Sequence, residues 1–227
     1  MPPKTAGTTR ITKRPSTRST STSTSRGTAN IPVTVASSAS NPVSADSEPV
    51  YFWRPHDSNG YLGQWYSTPF TYDECTYATA EMWMMVQKAR LFSDEEVAQR
   101  MLKTTDPKLH KSLGREVRGF SEGVWNENRL RIVEEGSYLK FTVSKDATRL
   151  RKMLLDTGDR ELVEASPRDR IWGVGFGAKN AGNNRRRWGL NLLGKALMNV
   201  RKRLREEEMK ERETVEGEQQ DKGKSAA

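Results

Sequence analysis

Apolar residues recur with the period of an α-helix near the C-terminal end of the chain. Positions 193, 196, 197, 200 and 204 are apolar and lie on one helical face, which predicts a long helix packed on a core. Asn191 precedes this stripe and is expected to cap the helix. Residues 78–92 are apolar nearly all round and predict a second, fully buried helix. The pattern therefore indicates a mainly helical core.

Capping residues predict four further helices between these two. Ser93-Asp-Glu-Glu96 forms a capping box, and Asp106-Pro107 supplies an N-cap followed by proline at the first helical position. Another helix is predicted to begin near Ser121. Asp146 is expected to cap the last of the four, which Gly158 ends.

Short strands are predicted on either side of these helices. Tyr51-Phe52-Trp53 and the aromatic residues up to Tyr72 are separated by turn formers, which is typical of short strands and loops. Two more short strands are predicted around Glu164 and Trp172, joined by a turn after Pro167. Together the elements predict an α+β fold, a mainly helical single domain with a few short strands.

Composition divides the chain into three parts. Residues 1–48 are rich in Ser and Thr, hold no aromatic residue and lack any period, which predicts a disordered basic arm. Residues 49–205 carry the periodic and aromatic segments and are predicted to form the folded domain. Residues 206–227 are predicted to be a charged, disordered tail, into which the last turns of the long helix extend.

The positive charge is concentrated in the folded part. The formal net charge is +9, to which residues 1–48 contribute six basic and two acidic residues and residues 206–227 four basic and eight acidic residues. The remainder therefore also carries +9, because the two terminal contributions cancel. Such a domain indicates an anionic partner, either a phosphorylated small molecule or a nucleic acid. Arg185-Arg186-Arg187-Trp188 could bind phosphate and stack on a base, or form a solvated basic loop.

Several classes of site are excluded by composition. Cys75 is the single cysteine, so an internal disulfide is impossible and a reducing compartment is indicated. His56 and His110 are too few and too scattered for a zinc cluster, and no cofactor is expected. The sequence contains no run of about 18 apolar residues, so no membrane-spanning segment is expected. The expected location is the cytoplasm or nucleus, with an organelle left open because the basic arm weakly resembles a transit peptide.

Two carboxylates stand in the otherwise apolar segment 162–172. Glu164 follows two strand-forming residues, and Asp169 shortly precedes Trp172. A carboxylate with apolar neighbours is partly desolvated, an arrangement that functional sites use. The alternative is a structural strand–turn–strand in which Asp169 forms an Asx turn.

Two pairs of residues on predicted helices are further candidates. Glu81 and Lys88 lie seven residues apart on nearly the same face of the buried helix. They could form a site, or a structural ion pair through a third residue, or Lys88 could reach solvent at the helix end. Trp125 and Arg129 lie one turn apart on the helix predicted to begin near Ser121. They could form a site, or serve as a core aromatic and a surface cation.

The glycine-rich segment from Gly173 loosely fits a dinucleotide-binding fingerprint. The residues after Ala178 do not read as a helix, and no acid stands about 20 residues further on, so this function is excluded. A mobile loop from Lys179 to Arg187 is expected instead.

Several of these motifs occur in an order and spacing that resembles the NADAR family of YbiA-like N-glycosidases, over roughly residues 50–205. The segments that carry the resemblance are Glu81…Gln87-Lys88-Ala89, Trp125…Arg129, Thr157-Gly158-Asp159, Leu162–Pro167, Asp169, Ile171-Trp172-Gly173, Asn191–Gly194, Leu197-Met198 and Arg201. The chain departs from the family pattern at Gly63–Ser67, at Met82–Met84 and at Trp188–Asn191, which implies a changed or relaxed base preference.

The resemblance implies a mostly helical α+β domain that hydrolyses the N-glycosidic bond of a phosphoribosyl- or ADP-ribosyl-base compound. Riboflavin intermediates and ADP-ribosylated bases are the substrates it implies. A binding module for ADP-ribose, nucleotide or nucleic acid is the alternative. The implied catalytic residues are Glu164, Glu81 and Asp169, and the reaction requires no metal. The implied substrate-binding residues are Lys88, Trp125, Arg129, Trp172 and Gly173.

Overall fold

The backbone of residues 48–225 is described in a computed structural model of the protein, with side chains to residue 216. The arm predicted over residues 1–48 lies outside the described residues except for Glu48. The described residues build a mainly helical α+β domain, as the hydrophobic pattern predicts. Its α-helices are α1 (Ala80–Leu91), α2 (Glu95–Leu102), α3 (Pro107–Glu116), α4 (Glu122–Thr142), α5 (Ala147–Leu155), α6 (Ala178–Ala181) and α7 (Leu192–Ser225).

Four short strands form two separate two-stranded sheets. Strand β1 (Val50–Phe52) pairs in parallel with β4 (Leu162–Glu164), so that Phe52 lies opposite Glu164. Strands β2 (Phe70–Tyr72) and β3 (Cys75–Tyr77) pair antiparallel. The parallel pair joins the start of the domain to its C-terminal third, and Glu164 therefore ends a strand that is paired along its length.

Helix α1 lies at the centre of the core. It packs against α2, α3 and α4, while α4 also packs against α7. Every residue from Ala80 to Val86 is buried, Glu81 included. On α7 the buried face consists of Leu193, Ala196, Leu197, Val200 and Leu204, which confirms the predicted stripe. The apolar face of α7 therefore joins the core around α1 by packing on α4.

The capping signals locate the helix starts closely. Asp106 and Ser121 accept hydrogen bonds from backbone amides of the helices that follow them, as predicted. Asp146 takes the N-cap position without a side-chain cap hydrogen bond, and Gly158 follows α5 with a φ of +59°. The expected capping box at Ser93 is wrong by one residue, because the side chain of Asp94 caps α2.

Two predictions for the segment after β4 are wrong. No strand forms around Trp172, because the amides of Leu192 and Leu193 bind the carbonyls of Ile171 and Trp172 in place of a sheet partner. The loop expected from Lys179 to Arg187 is a run of helical turns, formed by α6 and a 3-10 helix over Gly182–Arg187.

The long helix, whose last turns are expected to extend into the charged segment, reaches further along the chain than predicted. Helix α7 is helical through Ser225. Acid–base pairs four residues apart support its exposed turns, including Arg203 Nε to Glu207 Oε1 at 2.9 Å. Arg151 of α5 lies 3.3 Å from Glu208 and attaches this part of the helix to the domain. Among the helices described, none is long and apolar enough to cross a membrane.

Gly194 tests the contact between α7 and β4. A Cβ at this position would collide with the Leu162 carbonyl and the Asn191 amide, whereas a Cβ at Gly123, at the start of α4, would meet only the Ser121 Oγ at 3.9 Å. We expect Gly194→Ala to lower the free energy of unfolding by about 1–3 kcal/mol despite the better helix propensity of alanine. Gly123→Ala should leave it unchanged or raise it by up to about 1 kcal/mol. Urea unfolding measures both, and wild-type stability of Gly194→Ala would contradict this packing.

Candidate functional site

A cavity of about 260 Å³ opens beside the N-terminal half of α1 and contains four of the residues singled out from the sequence, Glu81, Glu164, Asp169 and Trp172. Its walls come from the segment between β1 and β2, from α1, from Lys111 of α3, from the end of β4 with the loop that follows, and from the start of α7. The full lining is Trp53, Gly63, Gln64, Trp65, Glu81, Met84, Met85, Lys111, Glu164, Ser166, Asp169, Trp172 and Leu193.

Glu164 reaches the cavity from a backbone that is held on both sides. On one side β4 pairs with β1, and the amide of Ala165 extends the ladder to the Phe52 carbonyl at 2.8 Å. On the other side the Asn191 side chain accepts from the Glu164 amide at 3.0 Å and donates to the Leu162 carbonyl at 2.9 Å. The position of the Glu164 backbone is therefore fixed by two neighbours.

The role expected for Asn191 differs from the one that the structure gives it. Its side chain bonds to β4 instead of capping α7, and its backbone adopts a φ of +49°. The carbonyls of Ile171 and Trp172 accept the first helical amides in place of the asparagine. Asn191 is thus a support of the Glu164 strand, which a capping signal does not reveal.

The carboxyl of Glu164 is buried with no hydrogen bond to its Oε2 within the described part of the chain. Burial, and secondly the charge of Asp169, raise the pKa of Glu164 to about 8. Both causes act against the charged form, because one removes water and the other adds a like charge. Glu164 is therefore mostly protonated at pH 7 and can donate a proton.

Glu81 occupies the opposite wall, on the first turn of α1. It is 9% exposed, and its Oε2 also has no hydrogen-bond partner among the residues described. Burial raises the pKa of Glu81, while a hydrogen bond from Trp65 and the nearby His110 and Lys111 act in the opposite direction. The two carboxyls thus face one cavity in different electrostatic surroundings.

Asp169 forms the Asx turn that was the structural alternative for this residue. Its Oδ1 accepts the amides of Ile171 and Trp172, both at 2.8 Å. These bonds turn the chain so that Trp172 lines the cavity. Asp169 therefore acts on the site through the shape of this loop and through its charge beside Glu164.

Gly173 allows this loop to approach β4 closely. A Cβ at this position would lie 2.7 Å from the Glu164 carbonyl oxygen and 3.1 Å from the Asp169 carbonyl oxygen. The next amide, of Val174, donates to the same Glu164 carbonyl at 3.0 Å. Gly173 is thus explained by backbone packing behind the cavity, and it is not part of the cavity lining.

Lys88, Trp125 and Arg129 do not line the cavity. Lys88 donates to the Gly114 carbonyl at 2.7 Å, and its Nζ lies 4.4 Å from the Phe120 ring centroid and 5.8 Å from that of Trp125. Arg129 follows Trp125 by one turn on α4, and its buried Nε has no hydrogen-bond partner within the described residues. Lys88 and Trp125 thus approach each other outside the cavity, two turns along α1 from Glu81, and Arg129 lies on the next turn of α4.

The basic cluster around Arg185 is partly committed to internal contacts. Arg185 forms an ion pair with Glu161 at 2.6 Å and lies over the Trp188 ring at 4.6 Å. The indole of Trp188 donates to the Ala181 carbonyl at 2.8 Å. Arg186 and Arg187 remain exposed, and this cluster is not part of the cavity lining.

Several cavity residues were missed from the sequence. Lys111 is an exposed cation that α3 brings to the cavity, and no spacing signal marks it. Met84 and Met85 follow Glu81 by one turn and line the floor, where helical periodicity could have placed them. Gln64 was noted only as a departure from the family motif, yet its buried Nε2 has no hydrogen-bond partner in the described part of the structure.

The arrangement suits acid–base chemistry on a small, partly apolar ligand. A cavity near the lower end of the roughly 300–1,000 Å³ range for ligand sites would hold part of a nucleotide-sized molecule. It offers three carboxyls, three indole rings and one lysine. No group of three or more His, Cys, Asp or Glu side chains in the described segment is placed to bind a metal.

Known proteins with similar sequences and structures match this domain. The sequence model of the NADAR domain matches residues 51–205. An N-glycosidase of Acanthamoeba polyphaga mimivirus is 43% identical over 127 residues, covering 55% of this chain and 73% of its own. A riboflavin biosynthesis protein of Vibrio vulnificus is 30% identical over 159 residues, covering 70% of this chain and 39% of its own.

A solved structure agrees with the sequence matches. The NMR structure of the Escherichia coli protein YbiA superposes with a TM-score of 0.57 at 25% identity, covering 72% of this chain and 88% of that one. The matched sequence model spans the helices and strands that build the cavity, from β1 to the exposed half of α7. The chain therefore belongs to the NADAR domain family.

Proposed function

We propose that this protein is an N-glycosidase that hydrolyses the bond between a base and a phosphoribosyl or ADP-ribosyl group. The observation that carries the proposal is that two buried carboxyls, Glu81 and Glu164, line one cavity, and each has an oxygen with no hydrogen-bond partner among the described residues. Relatives named as N-glycosidases and as a riboflavin biosynthesis protein support the reaction and the class of substrate.

Hydrolysis of an N-glycosidic bond needs an acid on one side of the sugar and a base on the other. As the base departs, the sugar gains oxocarbenium character, and water adds to the anomeric carbon. Glu164, protonated at neutral pH, donates its proton to the departing nitrogen. Glu81 accepts a proton from the attacking water. After the reaction Glu164 is ionised and Glu81 is protonated. Glu164 then takes up a proton from solvent and Glu81 releases one, which restores the starting state.

The remaining cavity residues position the substrate. Trp53, Trp65 and Trp172 offer ring faces for the departing base, and stacking tolerates different bases. Asp169 supports Glu164 by raising its pKa and by holding the Trp172 loop. It is thus proposed to act indirectly, in contrast to the direct role expected from the resemblance.

Cations at two distances from the carboxyls match a substrate with one or two phosphates. Lys111 lines the cavity and is proposed to bind the phosphate nearest the reacting sugar. Lys88 lies further along α1, about 10 Å from Glu81 at 1.5 Å of rise per residue, and Arg129 lies on α4 one turn after Trp125. They are proposed to bind the distal phosphate and, with Trp125, the adenine of an ADP-ribosyl substrate.

A binding module for nucleic acid is the second candidate, because one segment is strongly basic. Residues 165–190 hold six basic residues and one acid, and all six basic side chains, Arg168, Arg170, Lys179, Arg185, Arg186 and Arg187, are exposed. The guanidinium of Arg170 donates to the Arg187 carbonyl at 2.8 Å, which brings the first part of this segment beside the Arg185–Arg187 run. Binding without release of a base from any ribosyl compound would favour this candidate over hydrolysis.

The pH dependence of hydrolysis tests the role of Glu164. If Glu164 is the acid, kcat/KM of the wild type should fall as pH rises through about 8, because the active form of the free enzyme is the one with Glu164 protonated. Glu164→Gln should lower kcat on the order of 10²-fold or more while preserving the fold. Release of free base from a phosphoribosyl pyrimidine, followed from pH 5 to 10, measures both effects.

Glu81→Gln separates the two carboxyls in the same assay. This variant should also lose on the order of 10²-fold in kcat, but the decline of its residual rate near pH 8 should persist, since Glu164 is intact. A wild-type rate that rises through pH 8 would make Glu164 a base and contradict the assignment. Wild-type turnover in a folded Glu164→Gln variant would remove this residue from the mechanism.

The two groups of cations should separate substrates by length. Lys111→Met should raise KM for both phosphoribosyl and ADP-ribosyl substrates, whereas Lys88→Met should raise it for the ADP-ribosyl substrate alone. Neither change should alter kcat, because phosphate binding is equal in the ground and transition states. The unphosphorylated nucleoside is the control for both variants. A similar increase in KM for this nucleoside would show that the lysine acts on the fold.

A further inference from the structure

Lys140 is a cation enclosed in the core at the C-terminal end of α4. It is 1% exposed, and no carboxylate in the described part of the structure forms an ion pair with it. Burial alone lowers the pKa of Lys140, to about 7. An ammonium group without a counter-ion is costly to bury, and a methionine would fill the same space without that cost. The position therefore calls for an explanation beyond core packing.

The Lys140 ammonium group is directed at the loop that lines the cavity. Its Nζ donates to the Tyr61 carbonyl at 2.5 Å and to the Gly63 carbonyl at 2.8 Å. The Tyr66 ring centroid lies 5.4 Å from the same atom. Lys140 thus contacts this loop immediately before and after the cavity residues Gln64 and Trp65.

The same loop is bonded to the helix that carries Glu81. The Glu81 amide donates to the Gln64 carbonyl at 3.2 Å. Lys140 binds the carbonyl of Gly63, the residue directly before Gln64. A continuous set of bonds therefore runs from Lys140 through the loop to the first turn of α1, where the Glu81 side chain enters the cavity.

We propose that Lys140 is a positioning residue, which fixes the Gly63–Trp65 loop and, through Gln64, the first turn of α1. The ammonium group acts on backbone carbonyls, so it controls the location of Glu81 and Trp65 without contacting the substrate. The expected effect of Lys140 on turnover rests on the proposed hydrolysis, whereas its expected effect on the order of the loop is independent of that function.

The test compares Lys140→Met with Lys145→Met, the same change at an exposed lysine five residues further along the chain. Hydrogen–deuterium exchange is followed by mass spectrometry in peptides that cover residues 61–66 and 80–86. We expect Lys140→Met to retain a cooperative melt, and the amides of these two peptides to exchange at least tenfold faster than in the wild type. Exchange elsewhere in α4 and in α7 should not change, and Lys145→Met should match the wild type.

Turnover supplies a second readout that general destabilisation does not reproduce. At a temperature where all variants are folded, Lys140→Met should lose tenfold or more in kcat with less than a threefold change in KM, because the reacting groups are displaced more than the binding surface. Lys140→Gln, whose amide can still donate, should regain part of both the protection and the rate. If the wild type hydrolyses no ribosyl base, the proposed function fails, while the exchange comparison still decides the role of Lys140.

Three results would overturn the proposal. The first is wild-type exchange in residues 61–66 of a folded Lys140→Met variant. The second is faster exchange spread equally over all helices, which would make the lysine a general core residue. The third is failure of both Lys140→Met and Lys140→Gln to fold. If only Lys140→Met fails to fold, Lys140→Gln carries the comparison with Lys145→Met, and faster exchange confined to the two peptides is the supporting result.

Discussion

The chemistry of the cavity depends on burying the Glu164 carboxyl without giving it a partner. The chain achieves this by fixing the backbone around Glu164 and leaving its Oε2 free. Strand β1 holds one edge of β4, and the Asn191 side chain holds the other. Asp169 then adds a like charge that opposes ionisation. A carboxyl that is rigidly held yet unpaired stays protonated at neutral pH, as a general acid must.

Groups whose burial costs free energy are found at the cavity and beside the loop that lines it. Among the described residues, one oxygen of Glu81 and one of Glu164 are buried without a hydrogen-bond partner, and no carboxylate forms an ion pair with the buried Lys140. These groups stand on three different elements, α1, β4 and α4, yet all three act at the same cavity or on the loop that lines it. Such clustering is typical of functional sites and is not expected of a core optimised for stability alone.

The sequence could predict what depends on local pattern. The buried helix over residues 78–92 and the apolar stripe of α7 follow from periodicity, and the Asx turn at Asp169 follows from local turn chemistry. The loop at Trp172 could not be predicted, because its carbonyls bind amides some 20 residues away. Asn191 and Lys140 could not be assigned either, since their partners on β4 and beside β2 are distant along the chain. Lys88, by contrast, was recognised as unusual but lies outside the cavity.

The protonation state of Glu164 is the most direct test of this site. A ¹³C NMR titration of the side-chain carboxyls, with the Glu164 resonance assigned by its loss in Glu164→Gln, gives the pKa of this group in the folded protein. The structure predicts an inflection at about 8, with Asp169→Asn moving it downwards because one like charge is removed. A Glu164 carboxyl that titrates near 4.5, as in a solvated glutamate, would contradict its role as the acid in the reaction.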